Sequence, residues 1–288
     1  MIKQSFLPFA LLIVLAVFTS CNKEGNIDVE GSAEAVTDVA ELAYTQHIAT
    51  DIEETADEAT IAPPPPGQES LRDCAEITAE QEKGVFPNAI TIDFGDGCPG
   101  KDGKVRSGKL IITLSDTLHN EGATRTVTFE NYFVDDVQIS GSKTWENQGI
   151  SDEGLITIHK TADLTMNFPD GASSSWNTDR TITKNTQFVK YRKAGKWKKR
   201  IIRFKGTVSV MGSTSGVNKE GISFSAVILE ELVKDENCFW FGSGMIEFTK
   251  DDEVRTLDYG DGSCDRLATA TLPDGSTKEI KIRPFWSR

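Results

Sequence analysis

Histidine is almost missing from this chain: His47, His119 and His159 are the only three in 288 residues. None stands in a His-Glu-x-x-His zinc helix, and no Gly-x-Ser-x-Gly elbow occurs, so two common hydrolase templates are excluded. Gly103-Lys-Val-Arg-Ser-Gly108-Lys109 nearly spells a phosphate loop. Leu110 stands where the magnesium-binding hydroxyl belongs, and a strand-like run follows where a helix is needed, so that reading fails. The apolar run Phe6 to Phe18 falls short of the roughly 20 residues that a membrane-spanning helix requires. Helical periodicity is missing between the strand-like runs, which excludes a parallel sheet built from βαβ units. Paired carboxylates of the kind a glycosidase uses arise throughout an Asp-rich chain and specify nothing.

What is present begins at the first residues. Lys3 supplies a positive n-region, Phe6 to Phe18 (FLPFALLIVLAVF) an apolar h-region, and Thr19-Ser20 lead into Cys21. This pattern is a secretory signal. Phe18-Thr19-Ser20-Cys21 resembles the lipobox of bacterial lipoproteins in the looser form of Bacteroidota, with Phe18 and Ser20 departing from the commonest residues. The resemblance implies cleavage after Ser20 and acylation of Cys21, including an N-acyl chain such as palmitate. Two or more acyl chains anchor stably where one holds only marginally. The expected place is the outer membrane, periplasmic or cell-surface facing.

Charge divides the rest. Residues 22–73 hold thirteen Asp or Glu against Lys23 and Arg72, while residues 74–288 hold 28 basic and 31 acidic side chains. The first segment also carries Pro63 to Pro66 and few large apolar residues, a composition that reads as a mostly disordered tether. Ser32 to Gln46, with Val36, Val39 and Leu42, is expected to form a short helix within it. As a coil, the tether would set the domain about 40 Å from the lipid. The organisation is therefore 1–20 signal peptide, 21–70 acidic tether, and 71–288 folded domain.

From about Leu71 the apolar period becomes two. Ile90 to Phe94, Leu110 to Leu114, Thr126 to Phe129, Leu155 to Ile158, Thr181 to Thr183, Ile201 to Val210, Ile222 to Leu229, Met245 to Phe248 and Glu279 to Ile282 read as strands. Pro169-Asp170-Gly171 and Pro273-Asp274-Gly275 read as turns. The expected fold is all-β: an antiparallel multi-stranded meander forming a sandwich or barrel-like domain behind a disordered N-terminal tether.

Beyond Cys21 there are four cysteines, which permit three pairings in an oxidising envelope. Ile90 to Cys98 reads ITIDFGDGC and Arg255 to Cys264 reads RTLDYGDGSC, each following an earlier cysteine, Cys74 or Cys238. This is an internal repeat of one hairpin unit, and it favours Cys74–Cys98 and Cys238–Cys264 as structural staples. Asp93, Asp96, Asp258 and Asp261 are the candidate calcium ligands, yet neither loop has the alternating ligand spacing of a calcium loop. The competing reading is a tight turn in which glycine takes positive φ and aspartate bonds its own backbone.

The stretch ITIDFGDGCPGKDGKVRSGKLIITLSDTLHNEGATRTVTFENYFVDDVQISGSKT, Gly221-Ile-Ser-Phe, Cys238 and LDYGDGSCDRLATATLPDG together resemble a Bacteroidota lipoprotein family. That family carries no assigned activity. The resemblance implies an envelope location and an all-β fold and transfers no catalytic residue.

Lys190 to Lys205 (KYRKAGKWKKRIIRFK) holds nine basic residues and no acid, interleaved with Tyr191, Trp197 and Phe204. A turn at Ala194-Gly195 would gather Lys190, Arg192, Lys193, Lys196, Lys198, Lys199 and Arg200 about one hairpin tip as polyanion contacts. Two bland readings compete: a lysine-guarded strand edge, and attraction to the acidic tether. Trp145, Trp176 and Trp286 are either core residues or a sugar-stacking platform. The expected protein is a lipid-anchored, non-enzymatic binding or structural module without cofactor. Its partners would be the membrane through Cys21 and a glycan, lipopolysaccharide or another envelope protein, not nucleic acid. A carbohydrate-active enzyme or surface glycan-binding protein is the alternative.

Overall fold

A computed structural model describes residues 51–53, 55–60, 74–100, 103–193, 196–235, 238, 240–265 and 267–281, with the backbone alone for 186–193 and 196–205. The signal peptide, Cys21, the Ser32–Gln46 segment and Trp286 lie outside the described residues.

The strands form one antiparallel sheet in chain order. They are β1 (Glu76–Ala79), β2 (Asn88–Asp93), β3 (Cys98–Pro99), β4 (Val105–Leu114), β5 (Thr124–Val134), β6 (Val137–Ile150), β7 (Leu155–Asn167), β8 (Ser173–Lys193), β9 (Lys196–Val217), β10 (Ser223–Asp235), β11 (Ser243–Lys250), β12 (Glu253–Asp261), β13 (Leu267–Thr271) and β14 (Thr277–Lys281). Each pairs with the next except β3, a short addition on β4 that leaves β2 beside β4. The path starts at β1 and stops at β14, so the 14-stranded sheet is not closed. The strand runs expected from period two fall within these strands, apart from Phe94 after β2, Ile222 before β10 and Ile282 beyond the described residues.

Turn chemistry explains the meander. Phe168 and Ala172 close the turn at Pro169-Asp170-Gly171, where Gly171 has φ 86° and Asp170 accepts from the Ala172 amide at 3.0 Å. Pro273-Asp274-Gly275 repeats that construction between β13 and β14. Two tighter hairpins use Asp-Asp, a pair that the sequence reading passed over. Asp135-Asp136 and Asp251-Asp252 both take positive φ at both positions, the two-residue turn whose twist matches that of the flanking strands. Gly108 has φ 77° and sits so close to β5 that a Cβ would overlap the Asn131 carbonyl.

Strand alternation sends one face of β2 and β4–β8 inward: Ile92, Leu110, Ile112, Tyr132, Ile139, Leu164, Met166 and Trp176 form the main core. Trp176 is therefore a core residue and no part of an exposed sugar platform. A second cluster is Val210, Ile228 and Leu232, with Ile182, Phe241, Ile246 and Tyr259 packed against it, so residues of β8 through β12 contribute to one small core. That requires a strongly curled sheet, as twisted antiparallel sheets of this width become.

The acidic segment yields the main departure from expectation. Residues 51–53 and 55–60, placed in the tether by composition, are helical and packed on the inner face of the sheet. Ile52 and Ala56 are fully buried and Ala59 packs beside them, an i, i+4, i+7 stripe on one helix face. Ile52→Ala should lower stability by about 2–5 kcal/mol, read as a lower urea midpoint at unchanged slope. A midpoint equal to that of the parent would show that this segment is not part of the cooperative fold.

Candidate functional site

The helical segment meets the sheet through charge. Asp51 is buried and accepts from Lys104 Nζ at 3.1 Å and Arg106 Nε at 3.2 Å, with a further bond from Arg106 Nη2. Glu53 accepts from Lys143 Nζ at 2.9 Å and from Lys160 Nζ. Asp57 accepts from Arg125 Nη1. Antiparallel register explains why these cations share a face. Arg125, Trp145, Lys160 and Arg180 are successive cross-strand partners, and Val127, Lys143, Ala162 and Thr178 form the adjoining row. Sequence reasoning anticipated that the acidic segment would attract basic residues, but it looked to the run at 190–205. The partners lie on β4, β5, β6 and β7 or, for Lys104, just before β4, and no local signal marks them.

Burial pushes the Glu53 carboxyl up, but the ammoniums of Lys143 and Lys160 outweigh that and hold it at about 2. Burial pulls the Lys143 ammonium down more than Glu53 lifts it. The two partners thus respond in ways that oppose each other. The carboxylate sets the balance of the seam, because it accepts from two ammoniums at once.

The repeated Asp loops are built as turns. Asp93 Oδ1 accepts from the Gly95 amide at 2.9 Å, and Asp258 Oδ1 accepts from the Gly260 amide at 2.8 Å. Asp261 accepts from the Ser263 amide and hydroxyl, while Asp93 also lies 3.6 Å from Lys109 Nζ. Asp96 is exposed. Among the described residues no group of three or more His, Cys, Asp or Glu side chains is gathered for a metal, and these four aspartates do not fit the calcium reading. The repeat itself is structural. Cys74 is bonded to Cys98 and Cys238 to Cys264, with Cα separations of 5.5 and 5.7 Å, each bridging the open end of a hairpin, β1–β2 or β11–β12. Closing loops of about 25 residues contributes roughly 3 kcal/mol in the chain-entropy model.

The basic run occupies the β8–β9 hairpin. Lys193 pairs with Lys196 around the expected turn, Lys190 with Lys199, Arg192 with Trp197, Tyr191 with Lys198 and Val189 with Arg200. β7 pairs with β8 only as far as Asn185, and β10 pairs with β9 only from Thr207. Among the described residues, Thr186–Lys193 and Lys196–Phe204 therefore pair with each other alone, as a two-stranded ribbon projecting eight residues, about 26 Å, past its described neighbours. The side chains of all seven candidate polyanion contacts lie outside what the structure describes.

One charged constellation was missed by sequence reasoning. His159 Nε2 lies 2.7 Å from Asp179 Oδ1, and its Nδ1 lies 4.0 Å from Glu146 Oε2, on the face of the sheet opposite the helical segment. Register alone brings these strands together, so no spacing in the sequence could have marked the group.

Glu53 has a folded value below its unfolded 4.5, so its contribution is complete above about pH 4.5 and is lost as pH falls toward 2. The urea midpoint should fall across that window. Glu53→Gln should flatten this limb and cost roughly 2–4 kcal/mol at pH 7, because two half-buried lysines lose their counter-charge. An unchanged pH profile in the variant would remove Glu53 from the seam. Neither a family model, nor a curated protein, nor a solved structure matches this chain.

Proposed function

We propose that this protein is a lipid-anchored, non-enzymatic binding module of the bacterial outer membrane. Acyl chains on Cys21 hold it, and the β8–β9 ribbon engages anionic groups of an envelope glycan or lipopolysaccharide. The observation that carries this reading is the ribbon's isolation. A two-stranded hairpin is marginal in water by itself, and like charges at directly opposite register positions, as at Lys190/Lys199 and Lys193/Lys196, weaken it further. A sequence that maintains such a ribbon gains stability when phosphate, sulfate or uronate groups neutralise it. Three acids of the acidic segment, Asp51, Glu53 and Asp57, do not take that role, since they are engaged on the inner face of the sheet. Aromatic residues among the cations, Tyr191 and Trp197, suit a surface that also meets sugar rings or headgroups.

Changing Lys198, Lys199 and Arg200 together to Gln should weaken retention on lipopolysaccharide-coated beads roughly 100-fold, at about 1 kcal/mol per charge, and should reduce its salt dependence. Retention equal to that of the parent would count against the ribbon. Cys21→Ser should move the protein from the membrane to the soluble fraction; continued sedimentation with outer membranes would refute the lipid anchor.

A further inference from the structure

Because the sheet is open, each of its outer strands keeps one row of backbone groups unpaired among the described residues. β14 is the last strand, and four of its five residues are exposed. The turn before it fixes which backbone groups point outward. Leu272 donates its amide to the Ser276 carbonyl at 2.8 Å, which makes 272 and 276 a hydrogen-bonded pair. Bonded and non-bonded pairs alternate along an antiparallel ladder. Lys278 and Ile280 therefore direct their backbone groups to Ala270 and Ala268, while Thr277, Glu279 and Lys281 turn theirs to the free edge. By the same alternation the Leu267 amide, opposite Lys281, points away from β14, and Asp265 Oδ1 caps it at 2.8 Å.

The side chains of this edge are charged, and the neighbouring strand does not answer them. Glu279 stands opposite Thr269, Lys281 opposite Leu267 and Lys278 opposite Ala270. Neither Glu279 nor Lys281 has an ion-pair partner among the described residues. A second copy supplies both. When two identical edges pair antiparallel, one residue meets itself and the residues beside it exchange. Centring on Ile280 sets Glu279 opposite Lys281 of the second copy, and Lys281 opposite its Glu279. Those residues are also the ones whose backbone groups face outward, so one register satisfies both the charges and the hydrogen bonds. Ile280, half-buried, meets its own copy on the face that holds the buried Ala268. Centring on Glu279 or on Lys281 would serve the backbone equally but would oppose like charges, which destabilises a pair. An edge guarded by lysine alone repels a copy of itself. Glu279 converts this one into a self-complementary edge. β1, at the other edge, carries Glu76 and no cation.

We propose that two copies of this protein pair through β14, centred on Ile280, and so extend one antiparallel sheet across both molecules. The contact is isologous, so it closes at a dimer and leaves β1 of each copy outermost. A five-residue edge buries less than a standard interface, which makes the dimer weak and concentration-dependent in solution. The pairing is separate from the β8–β9 ribbon and does not depend on it.

The test uses the full chain with Cys21→Ser in detergent. Cys74, Cys98, Cys238 and Cys264 are bonded, so an added cysteine is then the single free thiol. Ile280→Cys should oxidise to a dimer, because a non-bonded pair brings its Cα atoms to about 4.5 Å. Glu279→Cys should not, since residue 279 would lie about 9 Å from its copy, beyond the reach of a disulfide. Sedimentation equilibrium gives an independent reading. Glu279→Lys should weaken dimerisation about tenfold or more, and adding Lys281→Glu should restore it. Equal cross-linking at 279 and 280, or a double variant as weak as the single one, would overturn the register. A chain that is monomeric at every concentration, as when another part of the same chain covers the edge, would overturn the dimer. So would a ladder of larger species, the mark of head-to-tail pairing between β14 and β1.

Discussion

The fold depends on compensating positive charge that the sheet places on its own inner face. A strand contributes every second residue to each face, and register aligns those residues across neighbours. Lys104, Arg106, Arg125, Lys143 and Lys160 consequently gather where the core must lie. The helical segment answers with Asp51, Glu53 and Asp57 on the flanks of an apolar stripe, so one short element fills space and neutralises charge together. Bonds of this kind add little net stability while both partners are present, because desolvation offsets the attraction. Their removal is costly, and that asymmetry ties the acidic segment to the domain.

Curl is the second constraint. An open sheet of this width has two free edges and would expose both faces if flat. Bending creates the small second core around Val210, Ile228 and Leu232, against which Tyr259 packs. The disulfides hold the hairpins β1–β2 and β11–β12, one at an edge and one near the opposite edge. Fraying begins at an edge such as β1, which is supported on one side only.

Much of the strand content was legible because threonine and β-branched residues alternate with polar ones on the period of a pleat. The cysteine pairing was legible too, because the duplicated loop sets each cysteine in an equivalent place. The helical segment was not. Its stripe consists of Ile52 and two alanines among five acids, a composition that signals solvation unless the facing cations are known. The open path of the sheet was equally hidden, since alternation fixes which face a residue takes and says nothing about whether the last strand meets the first. Lys198, Lys199 and Arg200 were visible as a charge run, but their isolation from the neighbouring strands follows from where β7 and β10 stop pairing.

The placement of the helical segment also has a kinetic consequence. Nearly every other contact in the meander joins strands adjacent in the chain, so hairpins can zip one after another at modest loop-closure cost. Glu53 and Lys160, by contrast, are 107 positions apart. The acidic segment emerges first in synthesis, yet its last partner exists only once β7 has been made and paired. Until then the growing sheet carries its cations without their counter-charges, and the domain completes itself by a long-range closure of the kind that slows folding.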